Sequence, residues 1–174
     1  MNSTTEERQG EQLRQKLHSS TDHEILTELA HIREHGAQLY AVEPIAELLF
    51  GPHDEPVKQG VAELLADLRL PEANAVLARC VERYSQHSEV WRLVSVCWMG
   101  RLDFVDYAPL FIDLLRHGGQ NTGLEAYTVL QELLPRLSPT QRTECAQLLQ
   151  QADNERPALV NAGLMQSLAD ELMG

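Results

Sequence analysis

The stretch AVEPIAELLFGPHDEPVKQGVAELLADLRLPEANAVLARCVE, Ala41–Glu82, reads as helix, turn, helix, turn, helix. Its opening AVEPIAELLF returns as ANAVLARCVE from Ala73 and, more loosely, as YAPLFIDLLR from Tyr107. Each copy is followed by a turn and a second helical pattern: EPVKQGVAELLADL, SEVWRLVSVCWMG and TGLEAYTVLQELL. The apolar faces of these second helices are predicted to begin at Val57, Val90 and Leu124, spaced by 33 and 34 residues. That period lies where helix-pair repeats are found. Stacked pairs bury one continuous core and present an extended surface in place of a catalytic pocket. The pattern therefore predicts an all-α fold with a binding or scaffolding role.

Local signals divide the rest of the chain. Thr21 with Glu24 forms the sequence of a capping box, and Ile25, Leu29 and Ile32 follow at helical spacing until Gly36. Ile45, Leu48 and Leu49 point inward from the next helix. Asp54 caps and Pro56 opens a helix burying Val57, Val61, Leu64, Leu65 and Leu68. Pro71 breaks the chain, Ser88 is read as the next cap, Asp103 precedes a sixth helix, and HGGQNTG is a clear break. Ser138-Pro139-Thr140-Gln141 combines a cap, a first-turn proline and a closing glutamine. DNERP is a linker, and a final helix from about Ala158 carries Val160, Leu164, Leu168 and Leu172. The expected organisation is a polar, flexible segment over 1–20, within which Glu11–His18 reads as a short helical lead-in, a repeat domain over 21–152, and a linker with a C-terminal amphipathic helix over 153–174. That last helix is expected to cap the array, since an array needs its final apolar face covered. A homo-oligomer built through it is the other reading.

The pairs resemble HEAT-like repeats. The first helix of such a pair reads Ala-x-x-x-Leu-x-x-Leu-Leu, matched here by Ala41/Ile45/Leu48/Leu49 and Ala73/Leu77/Cys80/Val81. The second follows a polar cap with valine and small residues, as in Asp54-Glu55-Pro56-Val57 with Gly60, Val61 and Ala62. The resemblance runs from about Ile25 to Ala152. The third copy departs from it, with Tyr107 at the leading alanine position, and the first pair is shortened. The Trp-x-x-Leu-Gly-x-x-Tyr signature of tetratricopeptide repeats is absent. The resemblance implies an α-solenoid of armadillo type, with about four helix pairs plus a C-terminal helix. It also implies recognition of a protein partner through a face lined by the second helices.

Composition narrows the partner. The chain has 174 residues and a net charge of −12, from 26 acidic and 14 basic side chains. The basic stripe expected of a nucleic-acid binder is missing, and the same balance disfavours anionic membranes. An acidic surface suits a basic partner, and it equally serves to keep a protein in solution. No apolar run approaches the ~18 residues that span a bilayer, and the polar N-terminus has no signal core. Cys80, Cys97 and Cys145 are odd in number and read as reduced thiols, which implies a cytoplasmic setting.

No residue constellation calls for an enzyme, a cofactor or a metal. Glu24, Glu28, His31 and His35 share a helical stripe, but a solvated face accounts for them. HGGQNTG lacks the Lys-Ser/Thr of a phosphate loop. Both tryptophans fall on one helix. Trp91 beside Arg92 is expected to be open, and Trp98 beside Cys97 to be covered by the next repeat. The candidate partner-binding residues are Lys58, Glu63, Trp91, Arg92, Ser95, Glu125 and Glu132. The rival from another class is a HEAT-like, lyase-type accessory protein that holds a metal or small molecule.

Overall fold

A computed structural model describes the backbone of residues 2–151 and 159–173, and the side chains of residues 4–151 and 160–173. Among the described residues there are ten α-helices and no strand. They are α1 Asn2–Ser19, α2 Asp22–His35, α3 Leu39–Glu47, α4 Glu55–Ala66 and α5 Ala73–Arg83, then α6 Val90–Met99, α7 Ala108–His117, α8 Gln120–Leu133, α9 Pro139–Gln151 and α10 Ala162–Met173. The fold is all-α, as the periodicity predicts. The DNERP linker lies outside the described residues.

Helices pack on the neighbour two places along, except that α5 and α7 stand apart. Among even-numbered helices α2 lies on α4, α4 on α6 and α6 on α8; among odd-numbered ones α1 lies on α3, α3 on α5 and α7 on α9. The two series meet through α3 with α4, α5 with α6 and α7 with α8. Between α5 and α7 runs an open groove of about 340 Å³, lined by Arg79 and Glu82 on one side and Tyr107 and Leu110 on the other. This is where the third copy carries Tyr107 in place of alanine.

Each helix buries the residues its pattern selects. On α4, Val57, Val61, Leu64 and Leu65 are buried, with Leu68 just beyond. On α6, Val90, Leu93, Val94 and Cys97 are joined by Val96. All belong to one core. The capping box forms at α2, where the Glu24 amide donates to Thr21 Oγ1 at 3.4 Å and the Thr21 amide to Glu24 Oε2 at 2.7 Å. The box at α9 forms with Ser138 and Gln141, at 3.2 and 2.9 Å. Asp54 sits at the N-cap of α4 but makes no side-chain cap bond. Instead Asp22 accepts the Asp54 amide at 2.8 Å and pairs with His53 Nδ1 at 2.8 Å, tying the α3–α4 turn to the start of α2. The Asp54 amide first, and then His53, hold the Asp22 carboxyl below its ordinary value. Ser88 is not the cap of α6. Glu89 takes that position, and its amide donates to His87 Nδ1 at 3.2 Å.

The two ends differ from the sequence reading. The polar N-terminal segment forms α1, a helix that packs on α3. Leu17 is buried and Leu13 packs on the core. Pro44 lies inside α3 and has no N–H to offer the Tyr40 carbonyl. Gly10 faces that carbonyl so closely that a Cβ would sit 3.0 Å from its oxygen. A glycine costs a helix about 1 kcal/mol relative to alanine, and here it allows the close approach of two helices.

At the other end, Val160 is exposed and precedes α10, whose buried residues are Leu168 and Leu172. α10 rests on α7, α8 and α9. It is seated by Asn161, which is buried and donates to the carbonyls of Leu115 at 3.0 Å and Gly118 at 2.9 Å, at the end of α7. Asn161 lies directly over Gly123, where a Cβ would come within 2.2 Å of its Nδ2. Leu124, predicted to start the apolar face of α8, is 50% exposed, and Gly123 holds the buried position. The core period is therefore 33 at both steps, through Val57, Val90 and Gly123.

Two stability tests follow from these contacts. Leu64→Ala should cost about 2–5 kcal/mol and exposed Glu63→Ala no more than about 0.5, as read by denaturant unfolding. Gly123→Ala should lower the melting temperature, whereas Gly163→Ala, with nothing within 4 Å of an added Cβ, should leave it unchanged or raise it. Equal behaviour of the two glycine variants would contradict the seating of α10.

Candidate interaction surface

All the candidate binding residues fall on even-numbered helices: Lys58 and Glu63 on α4, Trp91, Arg92 and Ser95 on α6, and Glu125 and Glu132 on α8. Most of them engage one another's neighbours across the helix seams. Lys58 donates to Glu89, at the start of α6, and its side chain is only 14% exposed. That hydrogen bond is the main reason the Glu89 carboxyl lies below its ordinary value. Arg92 holds Glu55 of α4 with two bonds, at 2.7 and 2.8 Å, and its guanidinium lies 4.6 Å over the Trp91 ring. Ser95 Oγ donates to the Arg92 carbonyl at 2.8 Å. Glu63 accepts from Gln59 at 3.0 Å and lies 3.5 Å from Arg33 of α2, which also binds Asp67. Glu125 accepts the Trp98 indole N–H at 2.6 Å. Glu132 is exposed. Lys58 and Arg92, selected as free contact residues, are thus spent on contacts between α4 and α6. The reason is their place on the flanks of these helices, where a long cationic side chain reaches the acidic neighbour.

The chemistry of the seams changes along the even-numbered series. Ion pairs join α2 to α4 and α4 to α6. Neutral donors join α6 to α8 and α8 to α10. There Trp98 meets Glu125, the Tyr127 hydroxyl donates to Glu171 at 3.3 Å, and Gln131 donates to Glu171 at 2.7 Å. The exposed pairs of Arg33 with Glu63 and Asp67 contribute about 0–1 kcal/mol each, whereas the Lys58–Glu89 pair is partly buried. The odd-numbered series has its own network, in which Arg14 of α1 and Arg83 of α5 converge on Glu43 and Glu47 of α3.

The tryptophans reverse the sequence expectation. Trp98 is 39% exposed, while Trp91 is half-buried beneath Arg92. One residue past buried Cys97 is a turn of about 100° around the helix, which carries Trp98 out of the core and toward α8. Its neighbour Met99 is also exposed. Trp98 and Leu124 were missed as surface residues because a large apolar side chain at near-helical spacing looks like core. The exact period of 33, ending on Gly123, was the available signal.

His31 and His35 line an open groove of about 470 Å³ with residues of α1. Their ring centroids lie 4.1 Å apart, and His35 Nδ1 is 2.9 Å from the His31 carbonyl oxygen. Glu28 on the same stripe pairs with Lys16. Among the described residues, no group of three or more His, Cys, Asp or Glu side chains is placed to hold a metal ion. The three cysteines are buried and free. Burial pushes the Cys80 thiol up to about 12 and also raises those of Cys97 and Cys145. Among the described residues, no helix is long and apolar enough to cross a membrane. Comparison of the chain with family models, with curated proteins and with solved structures finds no match.

Acrylamide should quench the tryptophan left in Trp91→Phe more readily than the one left in Trp98→Phe. Equal quenching would contradict the outward placement of Trp98. The raised thiol pKa values leave almost no thiolate at mildly alkaline pH. Ellman's reagent should therefore label the native chain slowly and the denatured chain at all three cysteines.

Proposed function

We propose that the chain is a protein–protein interaction module — an adaptor, assembly factor or regulatory subunit — built as a small α-solenoid of HEAT-like helix pairs that α10 closes. The observation that carries this reading is the packing of each even-numbered helix on the next, which sets side chains of α4, α6 and α8 side by side on one layer. The grooves found are open, as suits an extended contact surface more than a small-molecule site. The excess of acidic over basic side chains argues against nucleic acid and anionic membranes. α10 spends Leu168 and Leu172 on its own chain, which favours a closing role over assembly of copies. Three free buried thiols fit a reducing compartment, and we place the protein in the cytoplasm. No catalytic residue or cofactor is part of the proposal.

Tagged chain should capture a partner from extract of its native cell, and Ser95→Arg with Glu132→Arg should abolish that capture while preserving the circular dichroism. Glu82→Arg, on α5, should leave capture intact. Capture indifferent to all of these substitutions, or chain purified with stoichiometric metal or a bound chromophore, would overturn the reading.

A further inference from the structure

We infer that the occupant of the even-numbered layer is a basic, amphipathic segment of a partner protein, seated across α6 and α8 with Trp98 as its apolar anchor. The inference rests on the reading of that layer as a binding surface, and adds to it where the partner sits and what its chemistry is.

Charge is the first argument. On α4 and at the start of α6 the carboxylates of Glu55, Glu63 and Glu89 have cationic neighbours in Arg92, Arg33 and Lys58. Helices α8 and α10 contain no lysine or arginine at all. Their carboxylates, Glu125, Glu132, Asp170 and Glu171, enter no ion pair among the described residues. Three of them accept only from neutral groups: the Trp98 indole, the Tyr127 hydroxyl, and the Gln131 and Gln166 amides. The carboxylates of one half of the layer are paired from within, with Arg33 shared by Glu63 and Asp67, and those of the other half have no cation beside them. A carboxylate that accepts one neutral donor retains lone pairs for a cation.

Exposed apolar area is the second argument, and it falls on the same half. Trp98, Met99 and Leu124 are 39%, 51% and 50% exposed. Leu124, Thr128 and Glu132 follow at intervals of four residues, so they form one stripe on the side of α8 opposite its buried residues. The Trp98 indole reaches Glu125, the residue beside Leu124, so the apolar groups and the carboxylates interleave. A lysine or arginine that approached Glu125 would also lie beside the indole ring, where a cation gains further attraction. A ligand that answers both features carries leucine-like side chains on one face and cations beside them. An anionic ligand meets repulsion here, and a second copy of this face would set like charges opposite one another.

The test uses the full chain and two synthetic helical peptides. Both place leucines along one face; one carries lysines on the other face, and its counterpart carries glutamates. The lysine peptide should bind, shift the emission of the tryptophan left in Trp91→Phe to the blue, and protect it from acrylamide. Its affinity should fall at least about tenfold in Trp98→Ala and in Glu125→Gln/Glu132→Gln. It should stay within about twofold in Glu6→Gln/Glu82→Gln, which removes the same charge from the odd-numbered series. Trp98→Phe should lose less than Trp98→Ala, and melting curves confirm that each variant folds. The proposal is overturned if the glutamate peptide binds as well, if Trp98→Ala binds like the parent, or if the odd-series variant loses as much affinity. Self-association of the chain through this face, blocked by Trp98→Ala, would also overturn it. If partner capture depends on the even-numbered layer but the lysine peptide does not compete for it, this inference falls alone. If capture ignores that layer, both readings fall.

Discussion

Helix α6 must bury apolar side chains on more than one flank at once. Val90, Leu93, Val94, Val96 and Cys97 span an arc of about 160° around it, and α4, α5 and α8 cover them. An amphipathic helix of ten residues with so wide an apolar face has no stable existence alone, so its neighbours are conditions of its folding. The same requirement passes along the chain, from α4 with Val57 to α6 with Val90 to α8 with Gly123. Where the period meets a glycine, the space is filled by Asn161, and that fixes α10 against the end of α7. Helix α10 is thus positioned by the absence of a side chain.

What remains for the surface is decided by this arrangement. Residues on the flanks of neighbouring helices are brought within reach and pair wherever their charges allow. Lys58 and Arg92 are engaged in this way, and their pairs tie α4 to α6. On α8 and α10 no cation exists to do the same. The carboxylates there stay available, beside an exposed indole. A gradient in pairing, more than a gradient in total charge, distinguishes one part of the surface from another. Acid should weaken the contacts that Asp22, Glu24 and Glu89 make. The Asp22, Glu24 and Glu89 carboxyls lie below their ordinary values through bonds to the Asp54 amide, the Thr21 amide and Lys58 respectively. A lowered pKa means stability that is complete above the ordinary carboxylate range and lost as pH falls through the folded value.

Most of the helices were legible because their signals are local. The Thr21–Glu24 and Ser138–Gln141 boxes, the proline after Glu55, and the face of Val57, Val61, Leu64 and Leu65 need only a few neighbouring residues to be read. The features missed are tertiary. Only the Glu11–His18 half of α1 was legible, because the docking of the helix involves Gly10 meeting the Tyr40 carbonyl, a contact across thirty residues of chain. Leu124 looked like core because it is apolar, while a glycine one residue earlier carried the true period. The side-by-side placement of α4, α6 and α8 was legible, since second helices of successive pairs are expected to align. Which of its residues pair with each other could not be read, because Arg92 and Glu55 are joined only once the helices are stacked.

The stacking of each even-numbered helix on the next is the claim on which the rest stands, and native-state hydrogen exchange of Val90→Ala tests it most directly. Removing this buried side chain should destabilise α6 by roughly 2 kcal/mol and leave the chain folded. If the stacking is correct, amides of α4 and α8 exchange faster together with those of α6, and α1 is affected least, since sites in such a stack couple through their neighbours. Equal acceleration of α1, or unchanged protection in α4 and α8, would contradict it.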